Sequence, residues 1–257
     1  MPRIYWVTGA GKGIGRALAA ALVADGHTVA ISARGESDLE SLVRETQSGP
    51  GRAVAFPLDI TDAAAVADTV GRIEVDLGAI DIAVLNAGTH IPMSAYDFDA
   101  GALRTLVETN LLGTANCLEA LLKRFVPRRA GTIGVVSSVA GYRGLPSAAG
   151  YGATKAALIN MCEALKPELE HVDVRLKLIC PGFVDTPLTG KNDFPMPFMV
   201  STERAAREII KGLDSSAFET VFPFRMALAM KTLRLLPYRL AFMITRRMTA
   251  PPEAGRG

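Results

Sequence analysis

Thr8-Gly9-Ala10-Gly11-Lys12-Gly13-Ile14-Gly15 is the stretch from which the fold of this chain can be read. It follows a β-rich run, residues 3–8 (RIYWVT), and opens a segment with helical spacing from Ile14 to Ala24. A strand that passes through a glycine turn into a helix offers backbone N–H groups and a helix N-terminus to a phosphate pair. Glycine is needed there because a Cβ would block the pyrophosphate or the strand–helix contact. Such a turn on its own is equally a plain structural turn. Its place at the start of a strand–helix–strand unit is what points to a dinucleotide.

Outward from that turn the pattern alternates. Further β-rich runs lie at 27–33, 52–56, 81–86, 132–138 and 174–180, and Phe218 to Phe222 reads as one more. Helical spacing fills Glu36 to Glu45, Ala63 to Leu77 and Ala102 to Phe125. Strands separated by helices of this length imply crossovers, hence a parallel sheet covered on both faces. Right-handed crossovers leave few topologies, and the expected one is a doubly wound, three-layer α/β/α Rossmann fold with strand order 3-2-1-4-5-6-7. The 257 residues suit one domain, expected over residues 1–224, with a helical C-terminal extension over 225–250. Residues 251–257 (PPEAGRG) read as a disordered tail.

Composition narrows the classes. With 49% hydrophobic and 21% charged residues the chain is globular, and a net charge of +2 gives no footprint for nucleic acid. From Arg225 to Gly257, seven basic residues stand against Glu253 alone, a local +6 that leaves the rest at −4. Cys117, Cys162 and Cys180 fit neither a disulfide framework nor a zinc site and read as small core residues. His27, His90 and His171 have no metal-ligand spacing, so no metal is expected. Because Arg3 to Val7 already reads as a strand, no leader is expected, and a cytoplasmic location follows as the default.

Two sites suggest chemistry. At the end of the second strand stand Ala33 and Arg34, with Lys12 in the glycine turn. A ribose 2′-phosphate matches a guanidinium fork, and no acid is expected there except Glu36 swinging in. The dinucleotide is therefore read as NADP(H) in preference to NAD(H). Tyr151 and Lys155 lie four apart on a helix and share a face, which brings phenol and ammonium together. A cation beside a phenol lowers its pKa toward the range of a working acid or base. Ser138, at the carboxyl end of the fifth strand, can hydrogen-bond a substrate oxygen, whereas Ser137 points to the other face.

In these motifs the sequence resembles the short-chain dehydrogenase/reductase family over roughly residues 3 to 213. The turn matches its T-G-x-x-x-G-x-G, with Gly9, Gly13 and Gly15, and with Ile14 opening the helix. Leu85-Asn86-Ala87-Gly88 looks like N-N-A-G with the first Asn replaced, and Pro181 to Thr186 like P-G-x-x-x-T. Asn110, Ser138, Tyr151 and Lys155 match the family tetrad, with the serine thirteen residues before the tyrosine. The resemblance implies hydride transfer between a nicotinamide and a carbonyl carbon. Tyr151 would donate the proton, Lys155 tune it and bind the ribose, Ser138 hold the oxygen, and Asn110 hold a water in the relay. It further implies that Asp59, beside Ile60, reaches the adenine, that Gly88 lets backbone approach the cofactor, and that Thr186 reaches the carboxamide. For Asp59 the alternative is a place in a helix N-terminal turn, which Asp62 can fill as well.

Residues 188–200 fall where the family varies its substrate loop. Phe194, Met196 and Phe198, with Met199, would line an apolar pocket for a lipophilic ketone or aldehyde, or else pack the loop onto the core. His90, just beyond N-A-G, is either a substrate contact or an ordinary loop residue. Residues 225–248 read as two basic amphipathic helices broken at Pro237, which can lie on a membrane, cap the pocket or form a dimer contact. A homo-oligomer is expected, a dimer in preference to a tetramer. The other functional readings are a non-catalytic NADP(H)-binding sensor on the same fold, which the intact tetrad disfavours, and a membrane-surface binding module, which leaves the tetrad unexplained.

Overall fold

A computed structural model describes residues 1–191 and 196–249. Its seven parallel strands are β1 (Ile4–Thr8), β2 (Thr28–Ser32), β3 (Arg52–Ala55), β4 (Ile82–Leu85), β5 (Thr132–Val136), β6 (Arg175–Pro181) and β7 (Glu219–Phe222). They form one sheet in the order β3-β2-β1-β4-β5-β6-β7, as the spacing predicts. Alternation along each strand divides the core between the two faces. Tyr5 and Val7 of β1 join Ile82 and Val84 of β4 in one layer. Trp6, Ala83 and Leu85 join the other.

The first layer is closed by α1 (Gly13–Ala24), α2 (Glu36–Thr46) and α7 (Thr202–Asp214), of which α1 packs on both others. The second is closed by α3 (Ala63–Leu77), α5 (Gly113–Arg128) and α6 (Ala149–Glu170). Asp62 settles its own role by capping α3, its carboxylate accepting from the Ala65 N–H at 3.0 Å.

The long helix read over Ala102 to Phe125 is not continuous. α4 (Ala100–Leu106) passes into a π-helical turn, Val107–Leu112, before α5 begins. Alternating apolar residues cannot reveal such a turn, which inserts its extra residue without changing composition. Asn110 lies inside it.

The C-terminal extension is helical: α8 (Phe224–Leu235) and α9 (Tyr238–Thr245), broken at Leu236–Pro237. Met226, Met230 and Leu233 of α8, with Ala241 of α9, complete the layer beneath α6. The expected tail at 251–257, with Ala250, lies outside the described residues.

Candidate active site

Where the strand order turns back between β1 and β4, the carboxyl ends of the strands and the start of α1 enclose a cleft of about 430 Å³. Of the predicted cofactor residues, Gly9, Lys12, Gly13, Ile14, Arg34, Asp59, Ile60, Asn86, Ala87, Gly88 and Thr186 line it. Gly9 has φ +66°, and a Cβ there would stand 2.8 Å from the Ala87 Cα. Gly13, φ +57°, faces Thr186 across the cleft, and its Cβ would meet the Thr186 Cγ2 at 3.1 Å. No side chain caps α1, so its first N–H groups stay open to an anion. A long cleft of bare backbone ending in two cations fits a dinucleotide.

Gly15, read as a cofactor residue, takes the other role expected of a glycine in this turn, the close strand–helix contact. It does not line the cleft: a Cβ there would overlap the Gly9 carbonyl oxygen and stand 2.6 Å from Asn86 Nδ2. It is the residue that lets α1 close onto the turn. Asn86 braces the same turn, donating to the Thr8 and Gly9 carbonyls at 3.1 and 3.3 Å.

The expectation of no acid at the second strand's end is corrected. Asp38, in the first turn of α2, lines the cleft and pairs with Lys12 at 3.3 Å. Glu36 was the acid considered, but the helix turns Asp38 inward. Its position four residues after Arg34, on a helix that starts at Glu36, was the available signal. Asp59 accepts from the Thr61 N–H and hydroxyl at 3.0 and 2.8 Å. The backbone bond holds its carboxyl below the usual range, with a smaller contribution from Arg34.

The four residues read as catalytic do not line this cleft, Tyr151 and Lys155 included; they gather just beyond its end, where Asn110 and Lys155 stand beside Gly88. Ser138 lies just beyond β5; its hydroxyl accepts from the Ala140 N–H at 3.1 Å, donates to the Pro181 carbonyl at 3.4 Å, and lies close enough to the Tyr151 phenol to pull its pKa down. Ser137 points away and donates to the Lys155 carbonyl at 2.8 Å. Lys155 is 4% exposed, and its ammonium donates to the Val136 carbonyl at 2.9 Å while lying 5.7 Å from the Tyr151 ring centroid. Asn110 is fully buried. Its Oδ1 accepts from the Thr89 N–H at 2.7 Å, and its Nδ2 donates to the Thr89 carbonyl at 2.9 Å and the Thr154 hydroxyl at 3.1 Å. A Cβ on Gly88 would stand 3.1 Å from Asn110 Oδ1 and 3.6 Å from Lys155 Nζ, so the glycine leaves these two groups room.

The expected lowering of the Tyr151 pKa is absent in this arrangement. Burial pushes the phenol up to about 12, against a smaller opposite pull from Ser138. The same burial pushes the Lys155 ammonium down to about 8. The i, i+4 spacing puts the side chains together, but the ammonium addresses a carbonyl and the face of the ring, and desolvation penalises both charges.

His90 proves to be a site residue. It is buried, and its ring meets the Tyr151 ring edge-on, centroids 4.9 Å apart at 75°. In the substrate loop, Phe194 lies outside the described residues and Met196 is half-buried. Phe198 is 42% exposed, with the Arg225 guanidinium 4.7 Å from its ring centroid, which corrects its reading as a pocket-lining residue. The loop buries Val200 instead, bridged to Val184. An irregular segment has no period from which to tell inward from outward positions.

The chain is similar to proteins already known. A sequence model described as short chain dehydrogenase matches residues 3–195. An uncharacterized oxidoreductase of Myxococcus xanthus is 35% identical over 96% of this chain and 97% of its own. The 3-oxoacyl-(acyl-carrier-protein) reductase FabG of Thermotoga maritima is 32% identical over 74% of this chain and 77% of its own. The structure of an alcohol dehydrogenase from the archaeon Thermococcus sibiricus, complexed with 5-hydroxy-NADP, is also similar. It superposes with a TM-score of 0.78 at 27% identity, covering 86% of this chain and 96% of that one.

Proposed function

The chain belongs to the short-chain dehydrogenase family of oxidoreductases, and from that membership we propose that it reduces a ketone or aldehyde to the alcohol with NADPH. The observation that carries the reading is the meeting of Ser138, Tyr151, Lys155 and Asn110 just beyond the end of a cleft suited to a dinucleotide. The nicotinamide supplies the hydride when bound. Ser138 would hold the carbonyl oxygen, and the neighbouring Tyr151 hydroxyl would pass its proton to that oxygen as negative charge develops. His90 fixes the plane of the Tyr151 ring, and Asn110 fixes the Gly88–Thr89 backbone above Lys155.

Lys12 and Arg34 favour the 2′-phosphate, and Asp38, paired with Lys12, sets how strongly. The NADP analogue in the Thermococcus sibiricus enzyme and the oxoacyl reduction named for the Thermotoga maritima relative support the same cofactor and bond type. The half-buried Met196 of the loop after β6 favours a lipophilic carbonyl compound.

The test is oxidation of NADPH and NADH against ketones and aldehydes of graded chain length, with Tyr151→Phe beside the unaltered chain. NADPH is expected to be consumed faster than NADH, and the variant to lose about 10²–10⁴-fold in kcat. A variant as fast as the parent would sink the proton-transfer role, and faster turnover with NADH would sink the cofactor assignment.

A further inference from the structure

The two C-terminal helices show solvent a face that the fold does not use. α8 buries Met226, Met230 and Leu233, and directly opposite them Phe224, Leu228 and Leu235 are exposed, Leu235 by 85%. Of α9 only Ala241 and Thr245 are buried, so Phe242 and Met243 face outward, each more than half exposed. Both helices are well below the length that crosses a bilayer, and no helix among the described residues is long and apolar enough to do so.

Charge accompanies this face. No Asp or Glu occurs from Thr220 to Pro252, whereas six cations lie between Arg225 and Arg247. Lys231 pairs with Glu219, and Arg234 with Glu163 at 3.9 Å. Arg225, Arg239, Arg246 and Arg247 have no carboxylate partner among the described residues. Arg239, Phe242, Met243 and Arg246 recur at helical spacing, so cations flank the outward apolar pair on one side of α9. A second copy laid on this face would bring like charges together across an apolar contact. A sheet of phosphate-bearing headgroups over an acyl layer complements both features.

We propose that the exposed face of α8 and α9 docks on the surface of an anionic phospholipid bilayer. Phe242 and Met243 enter the headgroup–acyl boundary, and Arg239, Arg246 and Arg247 bind lipid phosphates. Phe198, held under Arg225, places the loop after β6 beside the same face.

The experiment is co-sedimentation of the full chain with vesicles of phosphatidylcholine alone, or of equal parts phosphatidylcholine and phosphatidylglycerol, at low and high salt. Binding to the anionic vesicles only, weakened by salt, is expected. Replacing Arg246 and Arg247 together by Ala is expected to lower partition about 25-fold, at about fivefold per arginine near the surface. Trp6 is the chain's one tryptophan and is fully buried, so Phe242→Trp adds a surface reporter whose emission should shift to the blue on anionic vesicles. That variant keeps an aromatic ring at an exposed position, so it reads insertion without depending on a charge deletion that perturbs folding. Protein left in the supernatant with anionic vesicles overturns the proposal. So does equal binding to both vesicle types, or a dimer that Phe242→Glu dissociates while no vesicle binds.

Discussion

Lys155 carries a charge at a place that opposes it, and the cost is measurable. The residue is 4% exposed, its ammonium donates to the Val136 carbonyl, and burial holds its pKa at about 8 against 10.5 for the free side chain. A folded pKa below the unfolded one means that between these values the unfolded chain binds the extra proton. Stability must therefore rise with pH through that window. Weighing the two titrations between pH 7 and pH 10 gives a gain of about 2–3 kcal/mol. Lys155→Met removes the titration and keeps most of the side-chain volume. Tyr151 is held at about 12 and stays neutral in the folded chain over the whole range. Denaturant unfolding of both proteins without cofactor, at each pH unit from about 7 to 10, gives the difference in stability directly. The parent should gain on the variant by that amount, most of it above pH 8. A difference that stays flat would show that Lys155 titrates in the fold as it does in water, and the account of burial at this site would be wrong.

Three further outcomes follow from the same contacts. Asp38→Asn leaves Lys12 free for a phosphate, so the ratio of kcat/KM for NADPH over NADH should rise by up to about fivefold, the scale of an exposed ion pair; an unchanged ratio would place the 2′-phosphate elsewhere. His90→Ala should lower kcat about fivefold to tenfold with KM for NADPH unchanged, and His90→Phe should recover part of it, because an edge-on ring pair contributes about 0.5–1.5 kcal/mol. With the phenol at about 12, alcohol oxidation, which needs phenolate, should speed up with pH throughout pH 7–10, while carbonyl reduction should stay nearly flat. An oxidation rate already level at pH 7 would mean that the tyrosine is not held up.

What the sequence disclosed best was the sheet. Alternating apolar runs located all seven strands, and crossover rules ordered them, because a parallel sheet buried on both faces imposes a pattern that composition must obey. Lys177 shows how much such a pattern tolerates. It sits in the middle of β6, buried, and its ammonium reaches the Ser215 and Ala217 carbonyls at 2.6 Å each. The π-helical turn at Asn110 was not legible, nor was the outward turn of Phe198, since neither leaves a period. The break at Pro237 was legible because proline has no N–H with which to continue a helix.

At the site, spacing revealed partners within one element, and the fold alone revealed partners between elements. Tyr151 and Lys155 share a helix face, so their proximity was readable. His90 reaches Tyr151 from the loop after β4, and Asp38 reaches Lys12 from the next helix, distances that no local motif encodes. The electrostatics followed neither kind of reading, because a pKa depends on how much water remains as well as on which charge is near. Here burial excludes enough of it that both members of the pair move toward their neutral forms, at Tyr151 against the smaller opposite pull of Ser138. A phenol kept protonated at neutral pH is already the proton donor that carbonyl reduction needs, while the reverse reaction must first remove that proton against a raised pKa. On the proposed function, the burial that holds Tyr151 protonated would therefore leave the reduction rate insensitive to pH near neutrality and make oxidation the pH-dependent direction.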